Sequence, residues 1–175
     1  LLPNMSTNAF YLDASNKDAL QHFLREKGRI APDDHITALA KAGEGNMNCT
    51  LRVTTQQGSF ILKQARPYIE RYPKIPAPIA RIHREEEFYS IVRRDALLRM
   101  HTPEVHWSER EHYLLAMEDL GSSADFTGIY RKGVNVSKTD ILSIAKVLSE
   151  LHYRFNVDTI PERMTNIEMR KLNHE

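Results

Sequence analysis

Between positions 48 and 55, Cys49, Leu51 and Val53 occupy every second place and polar residues fill the others. That period of two predicts a strand with one face against a core. Positions 36–42 and 59–65 read as strands on either side of it, and Gln56-Gln57-Gly58 supplies the turn between the second and third. A further hairpin is predicted from 101–108 and 112–117, with Glu109-Arg110-Glu111 at its turn. Helical spacing takes over at Leu20, Phe23 and Leu24, opened by a capping box on Ser15 and Asp18 and stopped by Gly28. This first helix is expected to be a flap on the main body. A second helix is predicted over 79–93 and a short one around 125–130. Ser137 with Asp140 opens the longest stripe, Ile141, Ile144, Ala145, Leu148, Leu151, His152 and Phe155, on which His152 reads as a core histidine. The segment 66–80 holds Pro67, Pro73, Pro76 and Pro78, half of the eight prolines, and reads as a long stiff connection.

Five strands with one helix, followed by a helical region, define an α+β order. Three parts are expected: an N-terminal extension over 1–34, a lobe with a five-stranded antiparallel sheet over 35–121, and the beginning of a helical region over 122–175.

Composition narrows the classes. Of 175 residues 41% are apolar, enough for a core. Lys plus Arg number 24 and Asp plus Glu 23, and a net charge of +1 argues against a broad nucleic-acid surface. No apolar run approaches the roughly 20 residues of a spanning helix, and the start, Leu1 to Met5, lacks a basic stretch leading into an apolar one, so neither a membrane partner nor a secretory signal is expected. A single cysteine, Cys49, excludes an internal disulfide and fits a reducing, cytoplasmic compartment. Eight histidines are scattered without tight Cys/His spacing, so a zinc site is not expected.

Candidate chemistry gathers at three places. The turn Gly43-Glu44-Gly45-Asn46-Met47-Asn48 joins two predicted strands. Its glycines let backbone N–H groups approach a phosphate, and the amide of Asn48 can donate to that phosphate or close the loop on itself. Taken alone, two glycines better describe an ordinary hairpin turn. Lys63, on the third strand, shares a face with Ile61, a pairing suited to a phosphate-binding ammonium beside an apolar floor for a purine. A strand lysine reaching solvent has the same pattern. Glu85 lies at helical spacing from Phe88, Tyr89 and Val92, which turns it inward towards Lys63 and turns Glu86 and Glu87 to solvent. Finally, Met117-Glu118-Asp119-Leu120 ends a strand and enters a connector. Trp107 reads as packing and Tyr130-Arg131-Lys132 as a solvated loop.

In this order the residues resemble the N-terminal lobe of the protein-kinase-like small-molecule phosphotransferases, the group of the aminoglycoside phosphotransferases and choline kinases. The resemblance is greatest to the 5-methylthioribose kinases. It rests on Gly43 to Asn48, Lys63-Gln64-Ala65-Arg66-Pro67-Tyr68, Met117-Glu118-Asp119-Leu120 and the terminal Leu172-Asn173-His174-Glu175, and covers most of 13–175. The third glycine of the protein-kinase loop is replaced by Asn48.

The resemblance implies an ATP-binding lobe. By it, Gly43, Gly45, Asn46, Asn48, Ile61 and Lys63 meet the nucleotide, Glu85 orients Lys63, Met117 guards the back of the pocket, and Glu118, Asp119 and Leu120 form the hinge beside the adenine. It implies transfer of the ATP γ-phosphoryl to a hydroxyl with Mg²⁺. The family's catalytic loop, His-Gly-Asp-x-x-x-x-Asn, and its acidic metal motif do not occur here, and Arg93-Arg94-Asp95 stands at a helix end. The catalytic base and metal ligands are therefore expected beyond Glu175, the 175 residues are expected to be inactive by themselves, and the stripe on 138–155 is expected to drive self-association or to pack on the N-terminal lobe. A 5-methylthioribose-like acceptor is favoured. An aminoglycoside or choline-type alcohol, and a non-catalytic nucleotide-binding module, remain open.

Overall fold

The computed structural model describes residues 9–43, 45–121, 128, 130–156, 158 and 166–172. Seven strands are present among them: β1 Ile36–Lys41, β2 Asn48–Thr55, β3 Ser59–Ala65, β4 Tyr68–Ile69, β5 Tyr72–Pro76, β6 Val105–Glu109 and β7 Leu114–Glu118. Five helices accompany them: α1 Lys17–Glu26, α2 Arg81–Val92, α3 Ala96–Arg99, α4 Lys138–Arg154 and α5 Ile167–Leu172.

The main sheet has the order β1-β2-β3-β7-β6, every neighbouring pair antiparallel. Strand β3 is central. Lys63 faces Thr50 of β2 on one side and Leu115 of β7 on the other. Alternation along the strands sends Leu51, Val53, Leu62, Leu114 and Ala116 to one face, where they meet Leu12 and the α1 residues Leu20, Phe23 and Leu24. Ile61, Ala65, Leu115 and Met117 go to the opposite face and pack on Ile82 and Tyr89 of α2. The sheet is thus the middle of three layers. The expected flap is one of those layers, because Leu20 and Leu24 are fully buried.

The local signals act largely as expected, with corrections. Asn16, one residue after Ser15, caps α1, accepting from Ala19 N at 3.1 Å; the Ser15 hydroxyl is already engaged, donating to Asp13 at 2.7 Å. Gly28 ends α1 at φ +65°, where Gly28 N donates to Arg25 O and Arg29 N to Leu24 O, the paired bonds of a Schellman motif. The proline-rich connection is a hairpin of its own: β4 pairs with β5 outside the main sheet. Pro73 and Pro76 fit there because β5 is exposed and owes no N–H to a second neighbour. Helix α3 has no counterpart in the sequence reading. It begins at Asp95, whose carboxylate accepts from Leu97 N and Leu98 N. The turn between β6 and β7 is a 3-10 turn over Arg110–His112.

Ser137 caps α4, its hydroxyl accepting from Asp140 N at 3.0 Å. The stripe of α4 is open: Ile141, Ile144 and Leu148 are exposed, and His152 is exposed rather than in a core. Helix α4 leans on α3, with Arg154 Nε 3.7 Å from Asp95. The short helix expected around 125–130 falls mostly outside the described residues. No helix among the described residues is long and apolar enough to cross a membrane.

Candidate nucleotide site

Lys63 Nζ lies 2.5 Å from Glu85 Oε1. Both side chains are about a quarter exposed, 27% and 23%, so the pair stands at an open face rather than in the core. Two rules bring them together. Alternation on β3 turns Lys63 to the α2 face, and helical phase turns Glu85 to the sheet. The neighbouring Glu86 does not go to solvent as its position on the helix suggested. It accepts from Ser108 Oγ at 2.6 Å and from Arg110, binding α2 to β6 and the turn after it. Glu87 does remain at the surface, with Arg84 at 2.6 Å.

Ile61 and Met117 are direct partners across β3 and β7 and lie in the apolar cluster on the Lys63 face. Met117 is buried, 7% exposed. Ile61 and Lys63 are two positions apart, about 7 Å along a strand. An apolar floor and an ammonium therefore follow one another along β3.

The loop between β1 and β2 sits at the Lys63 end of that floor, since Asn48 opposes Ala65. Gly43 takes φ +69°, the left-handed region that favours glycine. Gly45 has no such backbone requirement, and an added Cβ there would meet nothing within 4 Å. Asn46 is exposed and held by the β4–β5 turn: its carbonyl accepts from Arg71 N at 3.0 Å and its Oδ1 from Arg71 Nη1 at 3.1 Å. Asn48 is buried, and its Oδ1 accepts from Arg81 Nε at 3.0 Å, so its amide oxygen is spent on the protein itself.

At the other end of the floor the connector is tied down. Glu118 N donates to Glu104 O at 2.7 Å, and the Glu118 carboxylate accepts from Glu104 N at 3.0 Å. The Asp119 carboxylate is held by the protein itself. It accepts from Arg52 Nε and Nη2 at 2.8 and 2.9 Å, from Ser59 Oγ at 2.7 Å and from Gly121 N at 3.0 Å. Burial pushes its pKa up, but those hydrogen bonds and the Arg52 charge outweigh burial and hold it below the ordinary aspartate value. Arg52 also donates to Gly121 O at 2.5 Å.

Three residues that organise this region escaped the sequence reading. Gln64 is fully buried and saturated: Oε1 accepts from Leu12 N at 2.8 Å, and Nε2 donates to Phe10 O and His112 O at 2.7 and 2.8 Å. It binds the segment before α1 to the sheet directly behind Lys63. Arg52 was legible in part, because the β2 alternation places it opposite Leu51 and Val53, on the Lys63 face. Arg81, 8% exposed, anchors the first turn of α2. Burial lowers its pKa, opposed by the Glu70 and Glu85 carboxylates. Asp95, in Arg93-Arg94-Asp95, is a helix cap and an ion-pair partner of Arg154, and takes no part in this face.

Among the described residues no group of three or more His, Cys, Asp or Glu side chains is arranged to hold a metal ion. The described residues alone therefore offer no cluster of that kind for Mg²⁺. Compared with known proteins, the chain matches no family model and no curated relative.

Proposed function

We propose that this chain carries the nucleotide-binding lobe of a protein-kinase-like phosphotransferase. Within that class, the reading extends to an ATP-dependent small-molecule kinase of the 5-methylthioribose kinase type. One observation carries the first step: the ammonium of Lys63 is braced by Glu85 on the same face as Ile61 and Met117, beside a glycine-containing loop. An ammonium held by a carboxylate keeps both charge and position, which phosphate binding requires. The purine would lie over Ile61 and Met117 with its edge at 118–120, and the phosphates would run towards Lys63 and loop 43–48.

The second step rests on the sequence resemblance. The γ-phosphoryl would pass to a hydroxyl of a 5-methylthioribose-like acceptor, with an aminoglycoside or choline-type alcohol as the alternative. The residues described bind and orient; the base that takes the acceptor proton and the ligands for Mg²⁺ would come from chain outside the described residues. Cytoplasmic location accords with a lone, buried Cys49 whose thiol burial pushes up.

Titration of the chain with ATP tests the first step. Binding should be lost on Lys63→Ala. Equal affinity for the two proteins would overturn the reading. Phosphoryl transfer by the full-length gene product, assayed against a panel of alcohols, tests the second.

A further inference from the structure

Arg81 occupies the first turn of α2, one helical turn before Glu85. All five of its guanidinium donors are engaged. Nε donates to Asn48 Oδ1 at 3.0 Å, Nη1 to the carbonyls of Arg66 and Pro78 at 2.6 and 2.9 Å, and Nη2 to the carbonyls of Met47 and Tyr68 at 2.6 and 3.3 Å. Those acceptors belong to four separate stretches: the end of the β1–β2 loop, the residue after β3, the start of β4 and the turn before α2. A planar fork of five fixed donors can collect neutral oxygens from so many directions; the three donors of a lysine cannot. Arg71 holds the exposed tip of the same loop through Asn46, on both backbone and side chain. The loop is therefore seated at its end by α2 and at its tip by the β4–β5 turn.

We propose that Arg81 is a positioning residue of the nucleotide site: it locks the β1–β2 loop to α2 at Met47 and Asn48, so that a single helix sets both the loop and, through Glu85, the ammonium of Lys63. The inference rests on the nucleotide-binding reading above. It makes a distinct demand, however. A loop preorganised over the phosphates strengthens binding of the phosphates and leaves binding of the nucleoside unchanged. Arg81 then contributes to discrimination between ADP and adenosine without touching either. The β4–β5 hairpin, otherwise an exposed appendage, becomes the outer half of the loop's seat.

The experiment is an NMR titration of the ¹⁵N-labelled 175-residue chain with ADP and, separately, adenosine. It reads weak affinities and reports folding in the same spectra. Wild type, Lys63→Ala, Arg81→Lys and Arg71→Ala are compared. The expected result is an ADP preference in wild type that Lys63→Ala erases. Arg81→Lys should weaken ADP about tenfold and Arg71→Ala about threefold, losses on the scale of one or two net hydrogen bonds, with adenosine unchanged in both. Equal weakening of ADP and adenosine in the two arginine variants would mark a general structural role and overturn the proposal. So would an unaltered ADP preference in both while Lys63→Ala abolishes it; that outcome spares the nucleotide-binding reading. A wild type without ADP preference, or a Lys63→Ala variant that keeps it, overturns the reading and the proposal together. If Arg81→Lys does not fold, the exposed Arg71→Ala variant decides by the same ratio.

Discussion

Arg52 grips both carboxylate oxygens of Asp119, at 2.8 and 2.9 Å, and so fastens the middle of β2 to the segment that leaves β7. The strands concerned are not neighbours, since β3 runs between them. The pair is a strut across three strands, and Ser59 on β3 joins it from below. The Asp119 side chain is 5% exposed and that of Arg52 37%, so the strut is half in solvent and worth less than a buried pair. Asp119→Asn and Arg52→Met should each lower unfolding free energy by about 1 kcal/mol. Urea denaturation of the two single variants and the double variant would give the coupling; additive losses would show that the strut contributes nothing as a unit.

Acid should release the same strut. Asp119 has its pKa lowered by folding, so its contribution is complete above the unfolded aspartate value, about pH 4, and disappears as pH falls through the lower folded value. The stability gap between wild type and Asp119→Asn should therefore be constant from neutrality to about pH 5 and close below about pH 4. Thermal or urea unfolding across that range measures it, and a gap that widens with acid would contradict the assignment.

In the proposed site Glu85 would act on nucleotide through Lys63, with which it is paired at 2.5 Å. Glu85→Gln keeps a hydrogen-bond acceptor and removes the charge, so ATP affinity should fall by less than it does for Lys63→Ala. Calorimetric or NMR titration of both variants checks the order. A larger loss for Glu85→Gln would mean that the carboxylate has a separate task.

Gln64→Leu should be among the most damaging single changes outside the apolar core. It leaves Leu12 N, Phe10 O and His112 O without their buried partner, at a cost of about 2–4 kcal/mol. Urea unfolding reads this directly, and a loss below about 1 kcal/mol would show that water replaces the amide.

Leu24→Ala should cost about 2–5 kcal/mol, because α1 is a core layer. A detachable flap would lose almost nothing. Denaturant midpoints of the variant distinguish the two.

The central strands were legible in the sequence, because alternation in β2 and β3 survives in the folded chain without exception at Leu51, Val53 and Leu62. Lys63 and Glu85 were legible for the same kind of reason: a period of two and a period of 3.6 each fix a face. The β4–β5 hairpin was not. Proline density announces only what a segment cannot be in a central strand, and pairing on a free edge is a tertiary event. Asp119 and Asn48 illustrate the other limit: only folding decided that Arg52 would take the Asp119 carboxylate and Arg81 the Asn48 amide oxygen.

The order of residues along the chain thus settled the five strands of the main sheet, the existence of α1, α2 and α4, and the faces on which Lys63 and Glu85 stand, because these follow from backbone geometry over a few positions. Folding in three dimensions decided how those charges are spent, which layer α1 joins and what holds the glycine loop, because each depends on partners tens of residues away. Arg81 shows the difference most plainly: a single basic residue after a run of prolines becomes, once folded, the point where four segments meet.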